Sequence, residues 1–332
     1  MSGRLEVLSP GGVGEVRPGD DLATLLLDAL DAEDHRLADG DVVVVTSKVV
    51  SKAEGRLQPG DRDAAIDAET VRVVARRGQL RIVRTPLGLT MAAAGVDASN
   101  LPVGQVALLP VDPDASARRL RAELAARAGV DVAVVVSDTA GRAWREGQTD
   151  LAIGAAGLVV LDDHAGRTDP YGNPLAVTAP AVADEAASAA ELAGGKLTGR
   201  PFAVLRGLAH HVLPPGQDGP GARALVRPDG GDLFGFGARE AVVRALEADP
   251  AAAAPFGAPA PPGELAEAVR RVGCGEPTVG GDGSAPLLDV RPVGAPDAAR
   301  ARLAALAHAH GWVVRAAPAG ATVRLEPLPG GP

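Results

Sequence analysis

The stretch DVAVVVSDTAGRAWREGQTDLAIGAAG, which covers residues 131–157, is the most informative part of the chain. It opens with consecutive apolar residues at 132–136, a pattern typical of a strand that is buried on both faces. An acid between two hydroxyls follows at 137–139, and Arg142 and Arg145 come soon after. Hard oxygen ligands beside guanidinium groups suit a phosphate that carries a divalent metal. The stretch therefore predicts a phosphate and metal site at the end of a buried strand.

Length, composition and charge limit the classes of protein to which the chain can belong. A chain of 332 residues is long enough for two domains with a sizeable core. Hydrophobic residues make up 46% of it and aromatic residues only 2%, so the predicted core consists of Val, Leu and Ala. The formal net charge of −9 argues against nucleic acid as a partner, because no basic excess exists to displace counterions.

The cysteine count and the apolar runs bear on location. A single cysteine, Cys274, excludes an internal disulfide and a multi-cysteine metal site, and it fits a reducing compartment. No apolar run approaches the length that spans a bilayer, and the first residues, MSGRLEVLSPGG, lack the core of a signal peptide. These features predict a soluble cytoplasmic protein with no membrane partner.

A second buried strand precedes a group of hydroxyl and ammonium side chains. In DVVVVTSKVVSKAE, residues 41–54, four valines are followed by Ser47, Lys48, Ser51 and Lys52. Lysines four apart in a helical turn face the same side, where they repel each other unless an anion lies between them. An anion site and an ordinary solvated turn are equally compatible with this pattern.

A third segment, GLTMAAAGVDASN at 88–100, is small and uncharged until Asp97 and Asn100. An acid in this context commonly caps the next turn. It also suits ligation, because small neighbours let the backbone and a nucleotide approach closely.

The remaining periodicity predicts alternating strands and helices. A short strand at 4–8 precedes a leucine-faced helix that Asp20 or Asp21 can cap. Helical residues are expected at 69–77 and a strand at 80–84. A further amphipathic helix is predicted to begin at Asp114 or Ser116, before the central strand.

The second half of the chain continues this alternation. Residues 158–178 are predicted as a strand, a loop and another strand, and the helix after them ends at Gly194 and Gly195. The order of strands and helices predicts α/β architecture with covered sheet faces. Beyond a Pro/Ala-rich linker at 247–263, residues 264–332 are predicted to form a small β-α-β-β unit of unknown role.

Seven short motifs, taken together and in order, resemble those of the coenzyme F420-0:L-glutamate ligases. The same family forms the amino-terminal half of the actinobacterial bifunctional F420 biosynthesis protein. The resemblance covers roughly residues 4–246, and it is specific because all seven motifs occur in register. The motifs are TSKVVSKAEG (46–55), MAAAGVDASN (91–100), LLPVDPDASA (108–117), VSDTAGRAWREGQTDLAIGAAG (136–157), GRTDPYGNPL (166–175), VADE (182–185) and LRGL (205–208).

The resemblance implies a two-part α/β ligase fold that forms an intertwined homodimer. It implies an acid–amino-acid ligase that joins L-glutamate to coenzyme F420-0, consumes GTP through an acyl-phosphate intermediate, and can add further γ-linked glutamates. The expected partners are these small molecules and a second copy of the chain. Mg²⁺ or Mn²⁺ is expected at two sites, with K⁺ as a further candidate, and catalysis is then mostly positioning and electrostatics.

The resemblance also implies roles for individual residues. Asp97, Asp138 and Lys48 are the implied catalytic residues. Asp97 and Asp138 would bind one divalent metal, and Thr139 would bind a second. The implied GTP-binding residues are Val13, Gly14, Glu15, Val16, Ser47, Lys48, Lys52 and Asn100.

Two further pairs of residues are weaker candidates. Arg142 and Arg145 are candidates for a phosphate or a substrate carboxylate, and Asp184 and Glu185 are candidate acids in support of the site. The loop at 13–16 departs from the sequence usual in the family, so we expect its backbone to matter more than its side chains.

The chain also departs from the bifunctional relatives. Residues 231–242 resemble the junction to a flavin-binding domain, but only the small unit follows, so neither an FMN site nor reductase activity is expected. The ligase domain is predicted to cover residues 1–246. Two alternatives stay open: the same machinery with a different amino acid or acceptor, and a non-catalytic GTP-binding scaffold.

Overall fold

The computed structural model describes residues 3–99, 101–282, 285–315 and 322–328. Internal contacts divide the chain into two compact units, Met1–Val226 and Arg227–Pro332, and each is described by itself. The division falls earlier in the chain than residue 246, the predicted end of the ligase domain. The role of each part stays a prediction. Within the described ranges no helix is long and apolar enough to cross a membrane.

The first unit mixes helices and strands, as the α/β prediction requires. Its strands are β1 (Glu6–Leu8), β2 (Val42–Thr46), β3 (Leu57–Pro59), β4 (Arg72–Arg77), β5 (Leu80–Arg84), β6 (Thr90–Ala92), β7 (Gln105–Ala107), β8 (Ala133–Gly141), β9 (Gln148–Ala156) and β10 (Phe202–Arg206). Its α-helices are α1 (Leu22–Ala32), α2 (Ser47–Ala53), α3 (Arg62–Ala68), α4 (Pro113–Ala128) and α5 (Val182–Gly194).

Five of these strands form one mixed sheet in the order β1-β10-β2-β8-β9. Strands β2 and β8 are parallel, and the other neighbouring pairs are antiparallel. The register pairs Thr46 with Ser137, so β2 ends beside the point where the polar run of β8 begins. Because β10 runs opposite to β2, the chain enters β10 at the same edge. We call this edge, marked by Thr46 and Ser137, the carboxyl edge.

Both faces of the central strands are buried, which confirms the prediction from the valine runs. Val43 and Val134 pack with residues of α1 and α4 in one hydrophobic cluster. Val44 and Val135 point to the opposite side and pack with small residues of α5 in another. Fully burying such a side chain stabilises the fold by roughly 1.5–3 kcal/mol. Two adjacent valine strands are therefore favoured at the centre of the sheet.

The caps of the two helices on the first face follow from local chemistry. Asp21 caps α1, and its Oδ1 accepts a hydrogen bond from Thr24 N at 3.1 Å. Helix α4 begins earlier than predicted, because Asp112 caps it and Pro113 takes its first position. Asp114 is instead buried, and it accepts hydrogen bonds from backbone N–H groups elsewhere in the unit.

Three predicted elements were wrong. The helical residues expected at 69–77 are strand β4, which forms a hairpin with β5 around a turn at Gly78 with φ of 59°. The β-branched pair Val73 and Val74 favours a strand, and glycine permits the left-handed turn. Within the described residues 158–178 neither predicted strand is present, and isolated bridges join Leu158 to Val212 and Thr168 to Pro174.

Two small sheets complete the first unit. Strands β4, β5 and β6 form one, and β3 and β7 form the other. A hydrophobic cluster that includes Ile66, Val83, Val96 and Val106 joins them to α3. This cluster matters for the site because Val96 immediately precedes Asp97.

The second unit has its own sheet and core. Its elements are α6 (Ala238–Glu247), α7 (Pro262–Val272), β11 (Gly275–Asp282), β12 (Ala285–Pro292), α8 (Pro296–Ala309), β13 (Trp312–Arg315) and β14 (Val323–Pro327). The sheet is antiparallel with the order β11-β12-β14-β13. The predicted β-α-β-β elements are present, and α7 and β11 precede them. Trp312, Leu288 and Leu303 lie in its buried cluster.

Candidate active site

The carboxyl edge brings together segments that are far apart in sequence. Strand β2 passes directly into α2, which carries Ser47, while β8 continues into its polar residues beside it. Thr46 N donates a hydrogen bond of 3.0 Å to Pro201 O, which fixes the turn before β10 at the same edge. In open sheets with parallel strands, ligands bind beyond the carboxyl ends of those strands. The predicted site residues therefore lie where the topology favours a ligand.

Asp138 is held by Ser47 at the centre of this edge. Ser47 Oγ donates a hydrogen bond of 2.7 Å to Asp138 Oδ1, and Ser47 itself is buried. Burial raises the pKa of Asp138 to about 6, the hydrogen bond from Ser47 opposes that shift, and the charges of Asp150 and Asp97 add to it. The raised pKa means that the ionised form of Asp138 lacks a compensating positive charge. A bound cation would supply that charge.

Lys48 pairs with Asp97 next to this centre. Lys48 Nζ lies 2.6 Å from Asp97 Oδ2 and donates to Ser99 Oγ at 2.7 Å. Ser99 in turn donates to both carboxylate oxygens of Asp97, from its backbone N at 2.7 Å and from its Oγ at 2.9 Å. Burial alone would raise the pKa of Asp97, but the hydrogen bonds from Lys48 and Ser99 more than offset it, so the pKa lies below its usual value.

The backbone before Asp97 is unusual. Ala93, Ala94 and Gly95 have φ of 53°, 54° and 71°, a left-handed run that alanine rarely adopts. A Cβ at Gly95 would lie 2.7 Å from Leu109 side-chain atoms. Sparsely populated conformations of this kind cluster at ligand sites. The small residues of the MAAAG run allow this path, which directs Asp97 toward Lys48.

The predicted nucleotide loop lies near the second lysine of α2. Lys52 is only 8% exposed, and its Nζ lies 4.0 Å from Glu15 Oε1. Val16 is buried, while Gly14 and Glu15 are exposed. Val13 packs against the first cluster. The structure thus brings the loop and α2 together.

Asn100 lies outside the described residues, and its predicted contact with the nucleotide stays a prediction.

Asp150 is a buried acid that the sequence analysis missed. It is 3% exposed, and Ser137 Oγ and Thr139 Oγ1 donate to its two carboxylate oxygens at 2.9 and 2.7 Å. Ser188 Oγ of α5 donates to its backbone O at 2.9 Å. Pairing of Thr139 with Asp150 across the β8–β9 hairpin explains the arrangement. Only the register of that hairpin could have revealed it.

Lys196 was also missed, and it contacts Thr139. Lys196 Nζ donates a hydrogen bond of 2.7 Å to Thr139 Oγ1 from the turn between α5 and β10. Its charge lowers the pKa of Glu191, which burial and the charge of Asp150 raise overall. The hydroxyl that was predicted to bind a second metal therefore lies between a carboxylate and an ammonium group.

The weaker candidates lie away from these contacts. Arg142 and Arg145 are on the exposed tip of the β8–β9 hairpin, where Arg142 donates to Glu146 O at 3.3 Å. Asp184 Oδ1 accepts from Ala152 N at 2.9 Å, and burial raises its pKa. Glu185 is exposed. Asp184 thus supports strand β9.

The oxygen donors at this edge fit a divalent cation that a phosphate also binds. In the described part of the chain no three His, Cys, Asp or Glu side chains form a preformed metal cage. Mg²⁺ typically uses one or two carboxylates together with phosphate oxygens and water. Asp97 and Asp138, which interact electrostatically, with the hydroxyl of Ser47 beside them, match that donor set.

Comparison with known proteins identifies the family of the chain. The sequence model of the family described as F420-0:gamma-glutamyl ligase matches residues 12–207. The chain belongs to this family. It is accordingly a ligase of the acid–amino-acid type. The match includes Lys48, Asp97, Asp138 and Lys196 and ends before the second unit.

Individual members of the family resemble the chain over most of their length. The coenzyme F420:L-glutamate ligase of Methanopyrus kandleri is 41% identical over 242 residues, which cover 66% of this chain and 93% of that protein. The protein of the same name from Archaeoglobus fulgidus is 38% identical over 62% of this chain and 88% of its own length. That of Methanothermobacter thermautotrophicus is 34% identical, with 69% and 98% covered.

Proposed function

We propose that the chain joins L-glutamate to coenzyme F420-0 in coenzyme F420 biosynthesis and that it consumes GTP in doing so. Family membership and the names of its relatives support the glutamyl ligation. The main support for the proposal is a pair of contacts from adjacent residues. Ser47 donates a hydrogen bond to Asp138, and Lys48 forms an ion pair with Asp97. These contacts unite three distant segments in one site that combines carboxylates with an ammonium group. A scaffold has no need of that combination.

The lysines of α2 are the proposed phosphate ligands. Lys48 and Lys52 lie one helical turn apart, and both are largely buried as well as charged. Each ammonium group lies near a carboxylate, that of Asp97 or Glu15, which balances its charge. A nucleotide phosphate can take over these contacts, because an ammonium group serves as a compact point charge for it.

A cavity beside α2 is the proposed place of the nucleoside. It has a volume of about 510 Å³ and lies between the start of α1, helix α2 and helix α4. Ligand pockets typically measure about 300–1,000 Å³. Val50 and Ala53 of α2 line it on one side and Glu123 of α4 on the other, so an acceptor for base or ribose donors is present.

Asp97 and Asp138 would hold the divalent cation, Mg²⁺ or Mn²⁺. When bound, the cation would offset the charge of the transferring phosphoryl group. The contribution of the chain is to keep both carboxylates in place: Ser99 orients Asp97 and Ser47 orients Asp138.

The proposed chemistry is carboxylate activation followed by amide formation. A carboxylate oxygen of F420-0 attacks the γ-phosphorus of GTP, the bond to the bridging oxygen breaks, and GDP leaves. The amine of L-glutamate then attacks the carbonyl carbon of the acyl phosphate, and phosphate and a proton depart as the amide forms. Lys48 and Lys52 would hold the phosphates so that these steps need little reorganisation.

A homodimer is part of the proposal, since the family resemblance implies one. Tyr171 and Val177 are both more than nine-tenths exposed in the described loop that follows β9. A second copy that covered these two side chains would remove apolar surface from water, which is favourable. Light scattering at micromolar concentration should give twice the mass of one chain, and a monomer mass would contradict the dimer.

Mass spectrometry of the product tests the function. The chain is incubated with F420-0, L-glutamate, GTP and Mn²⁺, with ATP and metal-free controls. A mass gain of one or more glutamyl groups that needs GTP and metal supports the proposal. Asp138→Asn should abolish that gain, and the matched control Asp163→Asn, in an exposed loop, should keep it. GTP turnover without a glutamyl product would indicate another acceptor or amino acid, and no turnover would indicate a scaffold.

A further inference from the structure

Lys196 is one of only three lysines in a chain that has 33 basic residues. The other two are Lys48 and Lys52, and the rest of the basic residues are arginines. All three lysines lie at the carboxyl edge, where they contact Asp97, Glu15 and Thr139. The chain therefore uses arginine for its other positive charges and an ammonium group where the site requires a compact one.

The partner of Lys196 is held in a defined position. Thr139 Oγ1 donates to Asp150 Oδ1 at 2.7 Å, so a lone pair of the hydroxyl is left to accept from Lys196 Nζ at 2.7 Å. Asp150 is buried and fixed by Ser137 on its other oxygen. Because a buried carboxylate fixes the orientation of this hydroxyl, the ammonium group has a defined hydrogen-bond acceptor.

The turn that carries Lys196 is also fixed. Helix α5 ends at Gly194, and Gly195 follows with a φ of 70°, which a glycine adopts without strain. Thr198 Oγ1 donates to Gly195 O at 3.1 Å and closes the turn. Arg200 then donates to Ser9 O and ties the turn to the loop after β1. These contacts hold the turn in place, so the position of Lys196 at the site is fixed.

We propose that Lys196 supplies the second positive charge of the active site, so that the enzyme binds one divalent cation per chain where its fold family implies two. The proposal rests on the proposed function, because it assumes that Asp97 and Asp138 hold the first cation. The ligand of Lys196 would be an oxygen of the transferring phosphoryl group. Thr139, the predicted ligand of a second metal, binds the ammonium group instead.

The charges around Thr139 favour this assignment. Asp138, Asp150 and Glu191 bring three carboxyl groups to this part of the site, and Lys196 acts electrostatically on Glu191. A second divalent cation on Thr139 would have to displace the ammonium group or be repelled by it. An ammonium group needs no coordination shell and is present before substrate binds, so it offsets charge without reorganisation.

Counting bound Mn²⁺ by electron paramagnetic resonance tests the inference. The full chain is titrated with Mn²⁺ in the presence of a non-hydrolysable GTP analogue. Wild type should bind one Mn²⁺ per chain, and Lys196→Glu, which places a carboxylate beside Thr139, should bind two. The control is Leu197→Glu on the same turn, where Leu197 is 94% exposed; it should still bind one. Lys196 and Leu197 are both exposed, so all variants should fold.

The outcomes separate this inference from the proposed function. Two Mn²⁺ ions per wild-type chain that forms the glutamyl product would overturn the role of Lys196 and leave the function standing. Binding of only one Mn²⁺ ion by the Lys196→Glu variant would also overturn the role of Lys196. A wild-type chain that binds no Mn²⁺ and forms no product would overturn both. Lys196→Gln should lower the rate of product formation about 100-fold, and an unchanged rate would contradict the inference.

Discussion

Ser47 Oγ lies 2.7 Å from Asp138 Oδ1, although the two residues are 91 positions apart in the chain. The contact exists because β2 and β8 are parallel neighbours whose register places Thr46 opposite Ser137. It joins the lysine-bearing helix α2 to the acid of the central strand. The site is therefore a direct consequence of placing two valine-rich strands side by side.

Lys48 is expected to contribute to nucleotide affinity. Lys48→Met removes the ammonium group that Asp97 and Ser99 hold in place. A hydrogen bond to a charged group is worth about 1.5–3 kcal/mol, so the dissociation constant for GTP should rise roughly ten- to a hundredfold. Isothermal titration calorimetry with a GTP analogue measures it. Lys48→Arg, which keeps the charge, should recover part of the affinity, and an unchanged constant in Lys48→Met would refute the phosphate role.

Arg121 of α4 is expected to be essential for stability. Its side chain is 5% exposed, and its guanidinium donates to Val132 O and pairs with Asp131 and Asp218 at 2.8–3.0 Å. Removing the buried guanidinium leaves Val132 O without its donor, and an unsatisfied buried acceptor costs about 1–3 kcal/mol, so Arg121→Met should lower the free energy of unfolding by at least that amount. Urea denaturation monitored by circular dichroism measures it.

The matched control is Arg118→Met on the same helix. Arg118 is 42% exposed and makes an ion pair of 3.8 Å, an interaction that is typically worth about 0–1 kcal/mol. Similar losses in Arg118→Met and Arg121→Met would show that burial of Arg121 does not matter.

Asp184 should make stability depend on pH. Burial raises its pKa in the folded chain. A carboxyl with a raised folded-state pKa contributes stability that is full below its unfolded pKa and is lost as the pH rises through the folded value. Asp184→Asn keeps an acceptor for Ala152 N and removes the titration. The stability of the variant relative to wild type should therefore increase from about pH 4 to about pH 7. Urea denaturation at both pH values tests this, and a constant difference would contradict it.

Cys274 should report on the opening of the second unit. Its thiol is fully buried, and burial raises its pKa, so the reactive thiolate is disfavoured. Because the chain has one cysteine, labelling with iodoacetamide is unambiguous. We expect slow labelling in buffer and fast labelling in urea. Equally fast labelling in both would show that the packing of Cys274 with Val269 and Trp312 is wrong.

The sequence predicted those parts of the fold that rest on local patterns. The valine runs of β2 and β8 and the leucine face of α1 gave the central strands and a covering helix because apolar periodicity reports burial directly. The strand at 72–77 was misjudged because its sequence, RVVARR, has no period of two, and its pairing with β5 outweighs the helix propensity of Arg and Ala.

The sequence predicted the site residues that come soon after a strand in the chain, and it missed those that other parts of the fold bring to the site. Ser47, Lys48 and Asp138 come soon after valine runs. Their side-chain chemistry and their place at a strand end therefore both indicated a site. Asp150 and Lys196 were missed because their partner, Thr139, reaches them through hairpin register and through the turn after α5. Neither relationship leaves a periodic signal in the sequence.

Transfer of ¹⁸O from substrate to phosphate tests the central claim most directly. F420-0 labelled with ¹⁸O in both oxygens of its carboxylate is incubated with the chain, L-glutamate, GTP and Mn²⁺. If the carboxylate attacks the γ-phosphorus, one ¹⁸O should appear in the released phosphate and one should stay in the amide of the product. Glutamylated product with unlabelled phosphate would contradict activation through an acyl phosphate at this site.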